Sequence, residues 1–91
     1  MEVTFDRAKR AKTLRERGID FTDAARVFDG TTVEFEDFRK DYGERRFIAF
    51  GLLAGRIVAI VYTPRGGGRR VISMRTANES ERTKVAEVLG L

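Results

Sequence analysis

The sequence predicts an α+β domain in which two helices come first, antiparallel strands follow, and one helix ends the fold. Three observations carry this prediction. Apolar residues recur at helical spacing near both ends, whereas the middle alternates or runs continuously apolar, as strands do. Most glycines and the single proline fall between these segments, where turns are expected. Helices segregated from an antiparallel sheet define the α+β class, and 91 residues predict one domain over 1–91.

The first third of the chain predicts a hairpin of two helices after a short edge strand at Val3–Phe5. Asp6 is a suitable N-cap for the first helix, and Gly18 can end it. One face of this helix carries small or apolar residues and the others are strongly basic. The apolar positions are Ala8, Ala11 and Leu14.

The second helix is predicted to begin at Asp20 and to end at Gly30. Asp23 lies three residues after Asp20, which is the spacing of a capping box. Its apolar residues follow the helical i, i+3, i+4, i+7 pattern. They are Phe21, Ala24, Ala25 and Phe28.

The middle of the chain predicts a sheet of about four antiparallel strands. Their expected ranges are Thr31–Phe38, Phe47–Leu53, Ile57–Tyr62 and Arg70–Arg75. The third range scarcely alternates, so both of its faces should be covered and the strand should be central. Pro64 is expected to end that strand or break its pairing.

Strand alternation predicts which side chains share a face. Val33 and Phe35 should lie on one face of their strand, and Glu34 and Glu36 on the other. In the last strand, Val71 and Ser73 should face opposite to Ile72 and Met74, and Ser73 should share its face with Arg75. The C-terminal helix should begin at Asn78, which forms a capping box with Glu81, and should end at Gly90.

The composition excludes several kinds of chemistry. Cysteine and histidine are both absent, so the chain has no thiolate nucleophile, no disulfide and no Cys or His metal ligand. The acidic stretch from Asp20 to Asp37 lacks the spacing of a calcium-binding loop. We therefore expect no cofactor and no metal site, and chemistry based on arginine, carboxylate, hydroxyl or backbone groups.

The charges are segregated along the chain although the net charge is only +4. No acidic residue occurs from Arg45 to Asn78, and all seven basic residues in that stretch are arginines. Arginine presents a planar fork that binds phosphate through two hydrogen bonds. Clustered bases are typical of nucleic-acid binding, although a solvated basic surface without a ligand would look the same.

The candidate catalytic residues are those that could assist attack of an RNA 2′-hydroxyl on its own phosphate. Arginines would stabilise the charge on the phosphate, and a carboxylate would accept the hydroxyl proton. We assign Arg65 and Arg75 to the phosphate, Glu44 to the proton, and Tyr62 to base stacking or proton transfer. Candidate RNA-binding residues are Arg46, Arg69, Arg70 and Ser73.

Each of these assignments has an alternative. Glu44 could be only a loop partner for Arg45 or Arg46. The glycines between Arg65 and Arg69 could cradle a phosphate through their amides, but a plain hairpin turn is the more ordinary explanation. The basic first helix could contact RNA or simply be solvated.

The order of short motifs resembles the BrnT toxins over nearly the whole chain. The matching stretches are Phe5-Asp6-x-x-Lys9, Leu14-x-x-x-Gly18-Ile19-Asp20-Phe21, Ala24-Ala25-x-Val27-Phe28-Asp29-Gly30, Asp37, Asp41 to Phe47, Gly51-Leu52-Leu53-x-Gly55-Arg56, Val61 to Arg65, and Arg70-Val71-Ile72-Ser73-x-Arg75-x-Ala77-Asn78-x-x-Glu81. The resemblance implies a RelE-like fold and a ribonuclease toxin. It also implies a BrnA-like antitoxin with a DNA-binding ribbon-helix-helix domain, in a two-plus-two complex that reaches DNA only through the antitoxin.

Five positions depart from the pattern of that family. Phe5 stands where tryptophan is common, and Glu16-Arg17 stands where Lys-His is common. Arg75-Thr76 replaces a frequent Arg-Lys, and Val85 occupies the region of a frequent tyrosine. Groups that could move a proton or hold a phosphate are thus missing, so ribonuclease activity could be attenuated.

The function predicted from the sequence is an endoribonuclease toxin that inhibits translation. The alternative is a catalytically weak RNA-binding or corepressor subunit that acts only with its antitoxin. A free-standing RNA-binding domain is less consistent, because the aromatic stacking motif of an RRM is absent. Without a signal peptide or an apolar run long enough to cross a bilayer, we expect a cytoplasmic protein that does not enter membranes.

Overall fold

The computed structural model describes all 91 residues and confirms the α+β class. Five strands form one sheet in the order β1-β5-β4-β3-β2. The strands are β1 Val3–Phe5, β2 Val33–Glu36, β3 Phe47–Leu53, β4 Arg56–Arg65 and β5 Gly68–Thr76. The helices are α1 Arg7–Arg17, α2 Ala24–Asp29 and α3 Glu79–Leu89, and a 3-10 turn at Phe21–Asp23 leads into α2. None of the helices is long and apolar enough to cross a membrane.

The sheet differs from the predicted one in its edge. The short edge strand predicted at Val3–Phe5 is confirmed as β1 and brings the sheet to five strands. The prediction of an antiparallel sheet of about four strands is wrong in this respect, because β1 runs parallel to β5. Gly68 permits this pairing, since a Cβ atom there would lie 2.5 Å from the backbone oxygen of Glu2. The direction of β1 could not be read from a three-residue strand whose partner lies more than sixty residues further along the chain.

The predicted helical hairpin is present in a reduced form. Asp20 caps its segment by accepting a hydrogen bond from the amide of Thr22, but only six residues form α2. Asp23 makes no capping hydrogen bond, so the capping box predicted for it is wrong. Its carboxylate lies instead 3.5 Å from the guanidinium of Arg26, as an exposed i, i+3 pair.

The two faces of the sheet are covered by different helices. The first face packs against the 3-10 turn and α2, and its core includes Phe21, Val27, Ile60 and Met74. The second face packs against α3, and its core includes Phe50, Ala59, Ala77 and Val85. Strand β4 contributes to both cores, which confirms its central position.

Strand β4 is longer than predicted, because Pro64 does not end it. Pro64 pairs with Arg69, and the strand continues to Arg65. Proline removes one backbone donor, but its fixed φ is compatible with an extended chain. The turn is left to Gly66 and Gly67, both of which have positive φ.

A β-bulge in β5 changes which side chains share a face. Val61 pairs with Ser73 whereas the next residue, Tyr62, pairs with Val71, so Ile72 has no partner opposite it. The prediction that Val71 shares a face with Ser73 is therefore wrong. Val71 lies instead in the same core as Met74, and the extra residue of the bulge is the reason.

Candidate nucleic-acid interface

Several of the predicted site residues lie together on the second face of the sheet. Residues directly opposite each other in an antiparallel pair share a face. Ser73 and Arg75 lie opposite Val61 and Ala59, which confirms that Ser73 and Arg75 share a face. Arg70 lies opposite Thr63, and Thr63 precedes Arg65 by two residues in β4, so Arg70 and Arg65 also lie on this face. We call this surface, beyond the part covered by α3, the arginine face. Strand pairing places Arg65, Arg70, Ser73 and Arg75 on it. Arg46 belongs to it because the carboxylate of Glu44 contacts both Arg46 and Arg65.

Glu44 lies among these arginines. Its carboxylate is 3.2 Å from the Nε of Arg46 and 3.5 Å from a guanidinium nitrogen of Arg65. The alternative that Glu44 pairs with Arg46 is thus confirmed by this ion pair. The same contacts also place its carboxylate beside two cations that could bind a phosphate.

A compact loop between β2 and β3 holds Glu44 in this position. The side chain of Asp37 is only 1% exposed, and it accepts hydrogen bonds from the amide and guanidinium of Arg39 and from the hydroxyl of Tyr42. The guanidinium of Arg39 holds the pKa of Asp37 well below its usual range. The guanidinium of Arg46 lies 4.1 Å from the centre of the Tyr42 ring. Arg46 is therefore supported by a cation–π contact as well as by Glu44.

Arg75 is engaged by a carboxylate at the start of α3. Its guanidinium makes two hydrogen bonds to Glu81, of 2.7 and 2.9 Å. Hydrogen bonding to Glu81 raises the pKa of Arg75, and the same bonds lower the pKa of Glu81 to about 2. Glu81 also completes the predicted capping box with Asn78. A phosphate bound by Arg75 would compete with this carboxylate.

Residues that the sequence analysis did not select also belong to this surface. Arg39 lies near enough to Arg75 and Glu81 for its charge to lower the pKa of both. The ring of Tyr42 makes a cation–π contact with the guanidinium of Arg46. The available signal was the clustering of charged and aromatic residues between the predicted strand Thr31–Phe38 and Arg46.

Two predicted site residues lie on the opposite face. Tyr62 is buried, donates a short hydrogen bond to Glu34, and packs edge-on against Phe28. The guanidinium of Arg69 lies 4.3 Å from the ring centre of Phe28 and 4.9 Å from that of Tyr62. Burial, followed by the hydrogen bond to Glu34, raises the pKa of Tyr62 to about 12. The structure does not bring Tyr62 and Arg69 to the arginine face.

The arginine face can stabilise negative charge and can accept a proton. Its four guanidinium groups are accompanied by the carboxylates of Glu44 and Glu81 and by the nearby guanidinium of Arg39. No cluster of three or more side chains that could hold a metal ion is present. Arginine forks on an open sheet surface suit an extended polyanion better than a small enclosed ligand. The structure thus defines a small basic α+β domain of the kind that binds nucleic acid.

Comparison with known protein families shows the family to which the chain belongs. Residues 5–81 match the family described as the ribonuclease toxin, BrnT, of type II toxin-antitoxin systems. The match covers most of the chain, and the chain belongs to this family. Membership implies a ribonuclease toxin with an RNA target and an antitoxin partner. Comparison with curated proteins gave no match.

The pair formed by Arg75 and Glu81 predicts a pH dependence of stability. The pKa of Glu81 is about 2 in the folded chain against an ordinary value of 4.5, so the pair stabilises the fold above pH 4.5. That contribution is lost as the pH falls from 4.5 to about 2. We expect Glu81→Gln, which can keep the capping box, to cost roughly 0.5–1 kcal/mol at neutral pH.

Urea unfolding of both proteins across this pH range measures the effect. The difference in free energy of unfolding between wild type and Glu81→Gln should shrink towards zero at the acid end. Glu87→Gln, on the same helix but without an ion pair, is the matched control and should show no such convergence. A Glu81→Gln difference that stays constant with pH would contradict the assignment.

Proposed function

We propose that the arginine face is the site at which this toxin cleaves single-stranded RNA. The observation that carries the proposal is the position of Glu44 between Arg46 and Arg65, on the surface that also bears Arg70 and Arg75. A proton acceptor beside several phosphate-binding groups is what cleavage by an internal 2′-hydroxyl requires. Family membership supports the reaction class.

In the proposed reaction, the carboxylate of Glu44 accepts the proton of the ribose 2′-hydroxyl. The 2′-oxygen then forms a bond to the adjacent phosphorus, and the bond from phosphorus to the 5′-oxygen breaks. Arg65, which contacts Glu44, stabilises the negative charge of the five-coordinate phosphate, while Arg46 and Arg70 bind neighbouring phosphates. Arg75 lies opposite Ala59, six residues from Arg65 along β4 or roughly 20 Å, so it binds a phosphate further along the RNA instead of the reacting one that its sequence position suggested. The departing 5′-oxygen takes a proton from water.

In the free protein, carboxylates of the chain itself neutralise three of the arginines of this site. Glu44 is paired with Arg46 and Arg65, and Arg75 is paired with Glu81. RNA phosphates would displace these carboxylates from their arginines, which would free Glu44 to accept a proton. Tyr62 and Arg69 are left out of the reaction because they lie on the opposite face and pack against Phe28.

Substitution of the two central arginines tests the proposal. We expect Arg65→Ala to reduce RNA cleavage by roughly 10²–10³-fold. We expect Arg75→Ala, in a Glu81→Gln background that leaves no unpaired carboxylate, to weaken RNA binding and raise KM. Arg56→Ala is the matched control, because Arg56 lies on the first face of β4 and has no ion pair. Cleavage rates of purified variants, with circular dichroism to confirm the fold, give the answer. Full activity of both arginine variants would refute the site.

Glu44→Gln separates a proton acceptor from a structural partner. If Glu44 accepts the proton, the variant should lose about 10²-fold in rate and should also lose the acid limb of the pH–rate profile. A structural partner would change the rate without changing the shape of that profile. Tyr62→Phe is the contrasting variant. It should lower the free energy of unfolding by about 1–2 kcal/mol, through loss of the bond to Glu34, and leave cleavage unchanged.

A catalytically weak corepressor is the second candidate function. It is favoured by the carboxylates that occupy the arginines in the free protein, and by the absence of the histidine, lysine and tyrosine common in the family. Induced expression without the antitoxin distinguishes the two functions. Growth arrest with loss of RNA supports the ribonuclease, whereas normal growth with intact RNA supports the corepressor.

We further propose that the antitoxin is BrnA-like, forms a two-plus-two complex and covers part of the arginine face. The positive surface and the small core support this, because a partner that binds only the folded chain stabilises it. Co-expression with the adjacent reading frame should yield a complex that survives size-exclusion chromatography at the mass of four chains. Recovery of the toxin alone would contradict the proposal.

A further inference from the structure

Helix α1 contributes almost nothing to the core of the protein. None of its eleven residues is buried, and the small apolar face formed by Ala8, Ala11 and Leu14 is exposed. The helix is maintained by the Asp6 N-cap, by an ion pair from Arg10 to Asp20, and by a hydrogen bond from Arg17 to the carbonyl of Met74. Packing therefore does not explain why the chain keeps a helix here.

The charge of α1 points to a ligand. Its eleven residues include six bases and one acid, and Arg10 is the only base of the six that forms an ion pair. Lys9, Lys12 and Arg15 follow one another at i, i+3 spacing, and like charges at this spacing destabilise an isolated helix. A polyanion bound along the helix would relieve that repulsion.

A groove connects α1 with the arginine face. It runs between the helix and the part of β5 that follows the pairing with β1, and it has a volume of about 180 Å³. The helix lines it with three bases, one acid and one hydroxyl, which are Lys9, Lys12, Arg17, Glu16 and Thr13. Ile72 and Ser73 line the other side, and Ser73 belongs to the arginine face. The groove is smaller than the roughly 300–1,000 Å³ of a typical small-molecule pocket, and Ile72 is its only apolar residue. It suits a phosphate backbone rather than an enclosed base or an apolar peptide.

We propose that the groove side of α1, through Lys9 and Lys12, binds phosphates of the RNA strand that the arginine face cleaves. The helix and the arginine face then form one continuous track for single-stranded RNA. This inference rests on the proposed function, since it extends that site to a longer substrate. It assigns Lys9 and Lys12 to substrate binding and not to the chemical step.

The charge distribution around α1 provides a matched experiment. Lys9→Gln/Lys12→Gln removes two charges from the groove side. Arg7→Gln/Arg15→Gln removes two charges from the same helix at positions that do not line the groove. Both double variants have the same net charge, so a difference between them reports position and not overall electrostatics.

Binding is measured by fluorescence anisotropy with a 2′-O-methyl oligonucleotide, which lacks the attacking hydroxyl and cannot be cleaved. Each lost phosphate contact lowers the slope of log affinity against log salt by about 0.7, so the lysine double variant should lose about 1.4. Its affinity deficit relative to wild type should therefore shrink about sevenfold between roughly 50 and 200 mM salt. The arginine double variant should change the slope by much less.

Cleavage kinetics give a second readout. The lysine double variant should raise KM for a strand long enough to cross both surfaces and leave kcat unchanged. A strand of a few nucleotides, which fills only the arginine face, should be cleaved as by wild type. Equal loss in both double variants, or no change in the lysine variant, would overturn the proposal.

The remaining outcomes separate this inference from the proposed function. If the lysine variant keeps the wild-type salt slope but no longer forms a complex with its antitoxin, the groove binds protein and the proposal is overturned. If the lysine double variant shows the predicted change in salt slope relative to wild type, but wild type cleaves no RNA, the RNA track is supported and the ribonuclease site is refuted.

Discussion

One extra residue in β5 determines what each face of the sheet can do. In a regular strand, Arg70 would share a face with Met74, and Val71 would share one with Ser73 and Arg75. The bulge at Ile72 exchanges these positions, so that Val71 enters the core and Arg70 joins Ser73 and Arg75. Bulges of this kind commonly redirect side chains beside functional sites. The grouping of arginines on the second face depends on this irregularity.

The first face shows the other consequence of the same bulge. It brings Arg69 beneath Phe28 and beside Tyr62, where the guanidinium also lies 3.7 Å from Glu34. A charged side chain that is 27% exposed is stabilised there by two rings and one carboxylate. The cluster anchors the hairpin between β4 and β5 to α2. Arginine and tyrosine thus have a packing role on one face and a proposed binding role on the other.

The residues that could be predicted from sequence are those governed by local rules. The cap at Asp6, the capping box of Asn78 with Glu81, and the central strand through Ile60 all follow from short-range pattern and were correct. The bulge and the parallel pairing of β1 depend on contacts between distant segments, and nothing in the local sequence marks them. Simple alternation without the bulge assigns Arg69, and not Arg70, to the face of Ser73 and Arg75.

The same limit applies to the loop that carries Glu44. The predicted strand Thr31–Phe38 included Asp37 without giving it a role, but Asp37 is buried and organises Arg39 and Tyr42 around it. A buried carboxylate of this kind is recognised only when its partners are seen, because isolated Asp in a polar segment is normally solvated. Glu44 was selected for its proximity to the acid-free stretch, and only the fold shows that it pairs with both Arg46 and Arg65.

The central claim is that RNA binds one face of the sheet and leaves the other face untouched. Backbone amide chemical shifts, followed by NMR while an uncleavable single-stranded RNA is added, test this claim directly. The account predicts that the largest changes occur at Arg46, Arg70 and Ser73, with little change at Tyr62 or Arg69. Changes concentrated at Tyr62 and Arg69, with the arginine face unaffected, would contradict it.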